Sequence, residues 1–586
     1  MTRTVGLGLL LLAMTAGVVR AQARSNAATE LHALLTEAWE FELLENPLFA
    51  TNVGDHRYDD RLPMVGADDE ARRAAVRRGF LERLERIDRA RLGEVDGVSY
   101  DMFARQLNDA LAEFAFRTYE MPINSDWGFH IGFARLPDDM PIATAGDYEN
   151  YIARLRAFPR YVNQQIAAMR AGLERGFTVP RVTLDGYEAT IAAHVVDDAA
   201  QSVFDTPFAS FPSAVPPAER DRLRAAGRSA IAEAVVPGYR TFLDFMTREY
   251  LPGARSTLGA SELPDGGAYY TYLVRRFTTL DLTPDSIHAI GLHEVERIRA
   301  EMMEVMSEVG FSGDFAAFLT FLRTDPRFYA KTPDDLLKEA AYLAKRMDGE
   351  LPALFKTLPR LPYGVAPVPQ ALAPKFTAGR YIEAPAGGSQ PGYYWVNTYQ
   401  LDSRPLYTLP ALTLHEAVPG HHLQIALARE QEELPPFRRV AYIDAFGEGW
   451  GLYAEWLGIE AGMYTDPYAR FGRLTYEMWR ACRLVVDTGL HAMGWTRRQA
   501  MDYLAGNTAL SLHEVQTETD RYISWPGQAL AYKMGELKIR ELRRMAEVAL
   551  GQRFDVREFH DVVLLSGTVP LPVLEDQVKR YVERAQ

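Results

Sequence analysis

The chain is nearly free of cysteine. Cys482 is the only thiol in 586 residues. That rules out an internal disulfide, so the fold must stand on its apolar core, which a chain this long can build even outside the cytosol. An excess of basic residues is also missing. Lysine and arginine number 64 against 78 aspartates and glutamates, a formal charge of −14. Such a balance disfavours nucleic acid as a partner, because phosphate backbones reward basic patches. Past the N-terminus no apolar run is long enough to cross a bilayer. There is no fixed-period repeat and no low-complexity tract. Histidine is scarce as well, at 12.

What is present reads as a large helical protein of two or three lobes. Hydrophobic content of 47% and charged content of 24% are those of a globular chain. Residues 1–23 carry Arg3, an apolar run from Val5 to Val19, and a small-x-small end at Ala21-Gln22-Ala23. This is the pattern of a cleaved signal peptide, with no cysteine near the cleavage point to take a lipid. The expectation is a periplasmic or secreted protein. Residues 24–355 read as an N-terminal helical region, with helical spacing over Ala28 to Glu45, Asp68 to Ala90, Tyr100 to Phe116, Tyr148 to Gly176 and Ala218 to Tyr250. Residues 356–586 form the region that bears the chemistry. It opens with a Pro-, Gly- and Tyr-rich stretch in which Gly379 to Ile382 and Gly392 to Asn397 look like strands about a turn at Pro385 to Pro391. Cys482 lies in an apolar helical pattern and reads as inert core.

The most informative segment is His415-Glu416-Ala417-Val418-Pro419-Gly420-His421-His422. Imidazoles that could hold an ion, beside a glutamate that could take a proton from water, are the ingredients of a zinc hydrolase. The usual helical arrangement sets its histidines at i and i+4. Here the second histidine is six or seven residues on. On an unbroken helix, with about 100° and about 1.5 Å per residue, His421 would point away and His422 would sit about 10 Å along the axis. Pro419 interrupts that helix, since it lacks an amide hydrogen and clashes with the carbonyl of His415. Val418 is biased away from helix by the proline after it, and Gly420 accepts unusual backbone angles. If Pro-Gly loops out, His421 falls near the i+4 position and His422 turns toward substrate or a supporting shell. Geometry favours His421 as the second ligand and leaves His422 open.

A third ligand is expected from Gly447-Glu448-Gly449-Trp450-Gly451-Leu452-Tyr453-Ala454-Glu455. Glu448, flanked by glycines that permit close approach, is the expected ligand. Asp444 and Glu455 share its face and are expected to orient the imidazoles. His and carboxylate donors favour one zinc ion.

These segments resemble a bacterial family known as domain of unknown function 885, whose motif reads His-Glu-x-x-Pro-Gly-His. HEAVPGHH and GEGWGLYAE carry the likeness, with ENPLFATNVGDHRYDDRLP (Glu45 to Pro63), RLVVDTGLHAMGW (Arg483 to Trp495) and ETDRYISWPGQALAYKMGE (Glu518 to Glu536). That family is in turn similar to gluzincin metallopeptidases. The resemblance implies a mainly α, multi-helical, zincin-like architecture with a small β-ribbon near the site. It also implies His415, His421 and Glu448 as zinc ligands and Glu416 as the base.

Further residues complete the expected site. Arg483, Asp487 and His491 share a helical face, so Asp487 could orient His491 toward the reacting centre. Tyr522, Arg521 or His491 could hold an oxyanion, with Tyr532 and Lys533 as weaker candidates. Tyr393 and Tyr394, on the ribbon, could line a groove where an extended peptide pairs with a strand edge. His293-Glu294 repeats the His-Glu pair, but Arg297 stands where a second histidine would be needed, so it reads as an ordinary exposed helix. The function expected is a zinc-dependent hydrolase of peptide bonds. A hydrolase of another amide, an ester or a carbamate is an alternative, as is a non-catalytic metal- or ligand-binding protein. The sequence does not choose an oligomeric state.

Overall fold

The structure is a computed structural model that describes residues 26–370, 372–384 and 391–586. The expected signal peptide, and the expected turn apart from its last residue Pro391, lie outside the described residues. The protein is mainly helical with one small sheet. Among the described residues no helix is long and apolar enough to cross a membrane.

The helices start and stop where local chemistry dictates. In α1 (Ala145–Arg175), Thr144 accepts the amide of Asp147, whose own side chain bonds back to the Thr144 amide, and the helix ends at Gly176 in a left-handed conformation with φ of 75°. The expected helix over Ala218 to Tyr250 runs from Pro217 to Gly253 with two π turns, Ile231–Val235 and Met246–Tyr250. Pro237 and Pro252 each follow one of these turns. A residue with no amide hydrogen, whose ring clashes one turn back, is accommodated by widening the turn before it.

The site is framed by α2 (Pro284–Glu308) and α3 (Pro333–Leu354), then three strands, β1 (Tyr363–Pro367), β2 (Gly379–Ile382) and β3 (Gly392–Val396). After these come α4 (Leu409–Glu416), α5 (His421–Arg429), α6 (Asp444–Glu460), α7 (Pro467–Ala492), α8 (Leu512–Ser524) and α9 (Leu530–Leu550). The sheet order is β1-β3-β2. β3 pairs parallel to β1 and antiparallel to β2, with Tyr381 opposite Tyr394. β1 is a strand the sequence pattern did not announce. Its residues Tyr-Gly-Val-Ala-Pro show no alternation of burial, and it joins the sheet by a long crossover rather than a hairpin.

Two cores dominate. One is built within residues 62–250, around Phe133, Phe158, Phe204 and Tyr239. The larger joins α2 and α3 to α4–α9. The core is thus continuous across the division expected at residue 355. Glycines let the principal helices touch. A Cβ on Gly291 of α2 would meet Leu484 and Val485 of α7 at 2.8 Å. A Cβ on Gly535 of α9 would lie 1.8 Å from the carbonyl oxygen of Ala445 in α6.

Candidate metal centre

α4 stops at Glu416 and α5 starts at His421. Ala417 still bonds back to Thr413, the Val418–Pro419 peptide is cis, and the amide of His422 reaches the carbonyl of Ala417 before regular bonding resumes from Gln424 to Gly420. The extra residues are thereby looped out. At Gly420 no other residue fits, because a Cβ would sit 1.9 Å from the carbonyl oxygen of His415 and 2.4 Å from that of Leu414. The loop is pinned from α6 by Trp450, whose indole nitrogen donates to the carbonyl of Pro419 at 2.8 Å.

The result brings the His415 and His421 rings to 4.7 Å between centroids, at 88° to each other. The Nε2 atoms of both lie 3.5 Å from the same Oε2 of Glu448. One nitrogen or oxygen from each of the three residues falls within 4.8 Å of the others. This spacing is longer than an ordinary N–H···O bond of about 2.7–3.2 Å. Four-coordinate zinc, with bonds of about 2.0–2.2 Å, sets its donor atoms about 3.3–3.5 Å apart. The donor set and spacing therefore fit zinc.

The segment around Glu448 has a task at each position. Gly447 lies under the ring of Tyr442, Gly449 abuts the backbone of Gly535, and Gly451 leaves room for the His415 ring, which a Cβ would meet at 2.7 Å. Glu455 accepts the Nδ1 hydrogen of His415 at 2.8 Å, which directs Nε2 to the centre. Burial alone would lower the pKa of His415, but Glu448, Glu455 and Glu416 outweigh it and raise it to about 9. Burial would raise the pKa of Glu448, yet the two imidazoles hold it well below the usual carboxylate range. The cluster is electrostatically suited to a cation. Glu416 is buried beside it and accepts the amide of Tyr381 on β2 at 2.8 Å through Oε2.

Residues 47–578 match the model of a family described as bacterial protein of unknown function (DUF885). The chain belongs to this family. A crystal structure of a candidate lipoprotein from Colwellia psychrerythraea is 31% identical, covers 95% of this chain and 100% of its own, and superposes with a TM-score of 0.89. A candidate lipoprotein of unknown function from Shewanella oneidensis is 17% identical over 94% of this chain and 99% of its own, with a TM-score of 0.66, and shares the fold. No curated protein matches the chain.

In this DUF885 chain several expected site residues are committed elsewhere. His422 does not face substrate. It is buried under the sheet, its Nδ1 3.0 Å from the hydroxyl of Tyr381 and its ring 4.6 Å from that of Tyr363. Burial lowers its pKa to about 4, so it is neutral. His491 is not poised for catalysis. Its Nδ1 accepts the amide of Ala260 and its Nε2 donates to the carbonyl of Tyr522, and burial lowers its pKa to about 3. Nor does Asp487 orient it; Asp487 accepts the Tyr270 hydroxyl at 2.6 Å and the Gly527 amide at 3.1 Å. The hydroxyl of Tyr522 is buried, accepts from Trp479 and Arg483 and gives its own hydrogen to Glu518, which removes it as an oxyanion donor. Shared helical spacing placed these groups on one face, but each bonds a different neighbour.

The ribbon tyrosines divide. Tyr394 is fully buried, its hydroxyl 3.4 Å from Thr413, so it is packing rather than groove wall. Tyr393, on the opposite face, is half-buried against Gly364. Asp444 touches neither imidazole and accepts from Gln528 at 3.3 Å. Arg521 bonds Gln528 at 2.6 Å and approaches the Tyr532 hydroxyl at 3.5 Å. Lys533 is buried between Glu294, Glu477 and Glu536 at 2.8–3.0 Å. Glu294 and Arg297 are thus part of an interior ion network, not an exposed face. Cys482 is buried, and its thiol pKa is raised by burial.

Two site residues had no signal in the sequence. Tyr442 is 42% exposed, and its hydroxyl interacts with Glu448. Gln528 links Asp444 to Arg521. Only position hinted at them: an aromatic just ahead of the acidic helix, and a polar residue after Pro526-Gly527.

Proposed function

We propose that the protein is an exported zinc-dependent hydrolase of peptide or related amide bonds, with a zincin-like site. The observation that carries this reading is the pair of equal 3.5 Å separations from Glu448 Oε2 to the Nε2 atoms of His415 and His421, beside a buried glutamate. Export is supported by the N-terminal pattern and by the lipoprotein description of the two similar structures.

His415, His421 and Glu448 would hold the ion. Zinc bound there supplies a Lewis acid that polarises a carbonyl and acidifies water. Glu416 takes the proton of the attacking water and hands it to the leaving amine. Its bond from the Tyr381 amide engages Oε2 and fixes the carboxylate plane, leaving Oε1 for that transfer. Glu455 keeps His415 in the tautomer that presents Nε2 inward. With Tyr522 and His491 committed elsewhere and the Tyr442 hydroxyl engaged by Glu448, the hydroxyl of Tyr532 is the group left to face a developing oxyanion.

Glu416→Gln tests the reading. The variant is expected to retain one zinc per chain by elemental analysis while turnover of a mixed peptide library falls by about 10²–10⁴-fold. Undiminished turnover in the zinc-loaded variant contradicts the assigned base. A purified chain with no stoichiometric metal contradicts the metal.

A further inference from the structure

We infer that Arg483 and Arg521 form a subsite for the free C-terminal carboxylate of the substrate. This rests on the hydrolase reading above and narrows its substrate to peptides with an unblocked C-terminus. The two guanidinium groups converge on a single acceptor. Nη2 of Arg483 and Nη1 of Arg521 bond the same Oε2 of Glu518, at 2.9 and 3.2 Å. One carboxylate therefore serves two cations. Arg483 is 2% exposed, and its Nη1 is buried without a protein partner. A buried guanidinium donor left unbonded is costly, whereas a planar carboxylate satisfies such a donor well.

The rest of Arg483 is held rigid, which leaves Nη1 in a fixed direction. Its Nε donates to the Tyr522 hydroxyl at 2.9 Å, and its guanidinium lies 4.4 Å from the Trp479 ring centre and 4.2 Å from that of Tyr532. Arg521 is tied to the metal centre through Gln528 and Asp444, and Asp444 lies one helical turn before Glu448. A third cation, Arg480, sits one turn before Arg483 with its own Nε unpartnered. Acidic neighbours accompany them. Glu518 is shared as described, Glu514 lies near Arg480 and Arg483, Glu455 lies 3.5 Å from Nη2 of Arg480, and Asp126 acts on Arg521 from the loop of the N-terminal region. The donor left over on Arg483 is Nη1, which none of these carboxylates reaches.

The test is a binding comparison on the full-length Glu416→Gln chain, zinc-loaded so that peptides are held and not cut. Two N-acetylated tripeptide libraries are used, identical except that one ends in free carboxylates and the other in carboxamides. Retention is read by mass spectrometry. The free-acid library should be retained about ten-fold or more over the amide, the scale of one charge-assisted bond. The preference should collapse in Arg521→Gln and survive partly in Arg521→Lys, with zinc content unchanged in both. Equal retention of the two libraries overturns the subsite, as does retention of neither. Enrichment of acidic side chains within the amidated library overturns it too, because the wall would then read a side-chain carboxylate. The wild-type turnover assay is separate. Equal cleavage of acid and amide peptides leaves the hydrolase standing and removes the subsite. Absence of cleavage, with the acid preference in binding intact, removes the hydrolase and leaves the subsite.

Discussion

At the residue scale, the proposed centre depends on the groups that aim its three side chains as much as on those side chains. His415 is gripped on both sides, with Glu455 on Nδ1 and Gly451 under the ring. Replacing Glu455 with Gln should weaken zinc binding by about 10–100-fold, the usual effect of losing an outer partner. Gly451→Ala should do the same, by pushing the ring aside with a Cβ. A competition titration against a zinc chelator checks both. Asp487 allows a separate test. Burial, only partly offset by bonds from Tyr270 and Gly527, raises its pKa to about 7. Folding therefore favours its protonated form. Its stabilising contribution is complete below the unfolded value near 3.8 and is lost as pH rises through about 7. The lost contribution is on the order of 4 kcal/mol, from three pH units at about 1.36 kcal/mol each. Asp487→Asn should lose this gain, so that its denaturation midpoint drops further than that of the unaltered chain between about pH 7 and pH 4.

At the scale of elements, the break between α4 and α5 was legible because proline and glycine have few meanings. The hand-over from His415 to His421 followed from Pro419 having no amide hydrogen and Gly420 having no side chain. β2 and β3 were legible as short segments with aromatic and β-branched residues either side of a Pro- and Gly-rich turn. What escaped was long-range and isotropic. β1 has no alternation, and the partners of His491, Asp487 and Tyr522 come from segments far away in the chain. Helical spacing shows which residues share a face, but not what that face meets. Lys533 is an example. It reads as a site candidate after Tyr532, yet it ties α2, α7 and α9 together through Glu294, Glu477 and Glu536. Lys533→Met should lower unfolding stability by about 3–5 kcal/mol, because it leaves buried carboxylates without their cation. A chemical denaturation curve measures this. Gly420→Ala should be equally severe, since the nearest obstacle is backbone that cannot swing away.

At the scale of the whole molecule, the N-terminal region does more than precede the site. Ser125 bonds Ser524 at the end of α8 through both its amide and its hydroxyl, at 3.1 and 2.9 Å. The region is therefore tied to the end of α8, the helix that carries Arg521. The interior also hides neutral imidazoles. Burial lowers His130, His491 and His560 to about 3 and His422 to about 4. Their contribution is present above the unfolded value near 6.5 and is lost as pH falls toward those values. Thermal midpoints should accordingly fall as the buffer is taken from about pH 7 to about pH 4, more steeply in Asp487→Asn, where the opposing titration is gone.

The central claim is that a looped-out Pro-Gly lets two imidazoles and a carboxylate of the next helix share one cation. Anomalous diffraction at the zinc absorption edge, on crystals of the protein purified without chelator, tests it most directly. The account predicts a single strong peak about 2.0–2.2 Å from His415 Nε2, His421 Nε2 and a Glu448 oxygen. A peak that engages His422 instead, or no peak among these three side chains, contradicts it.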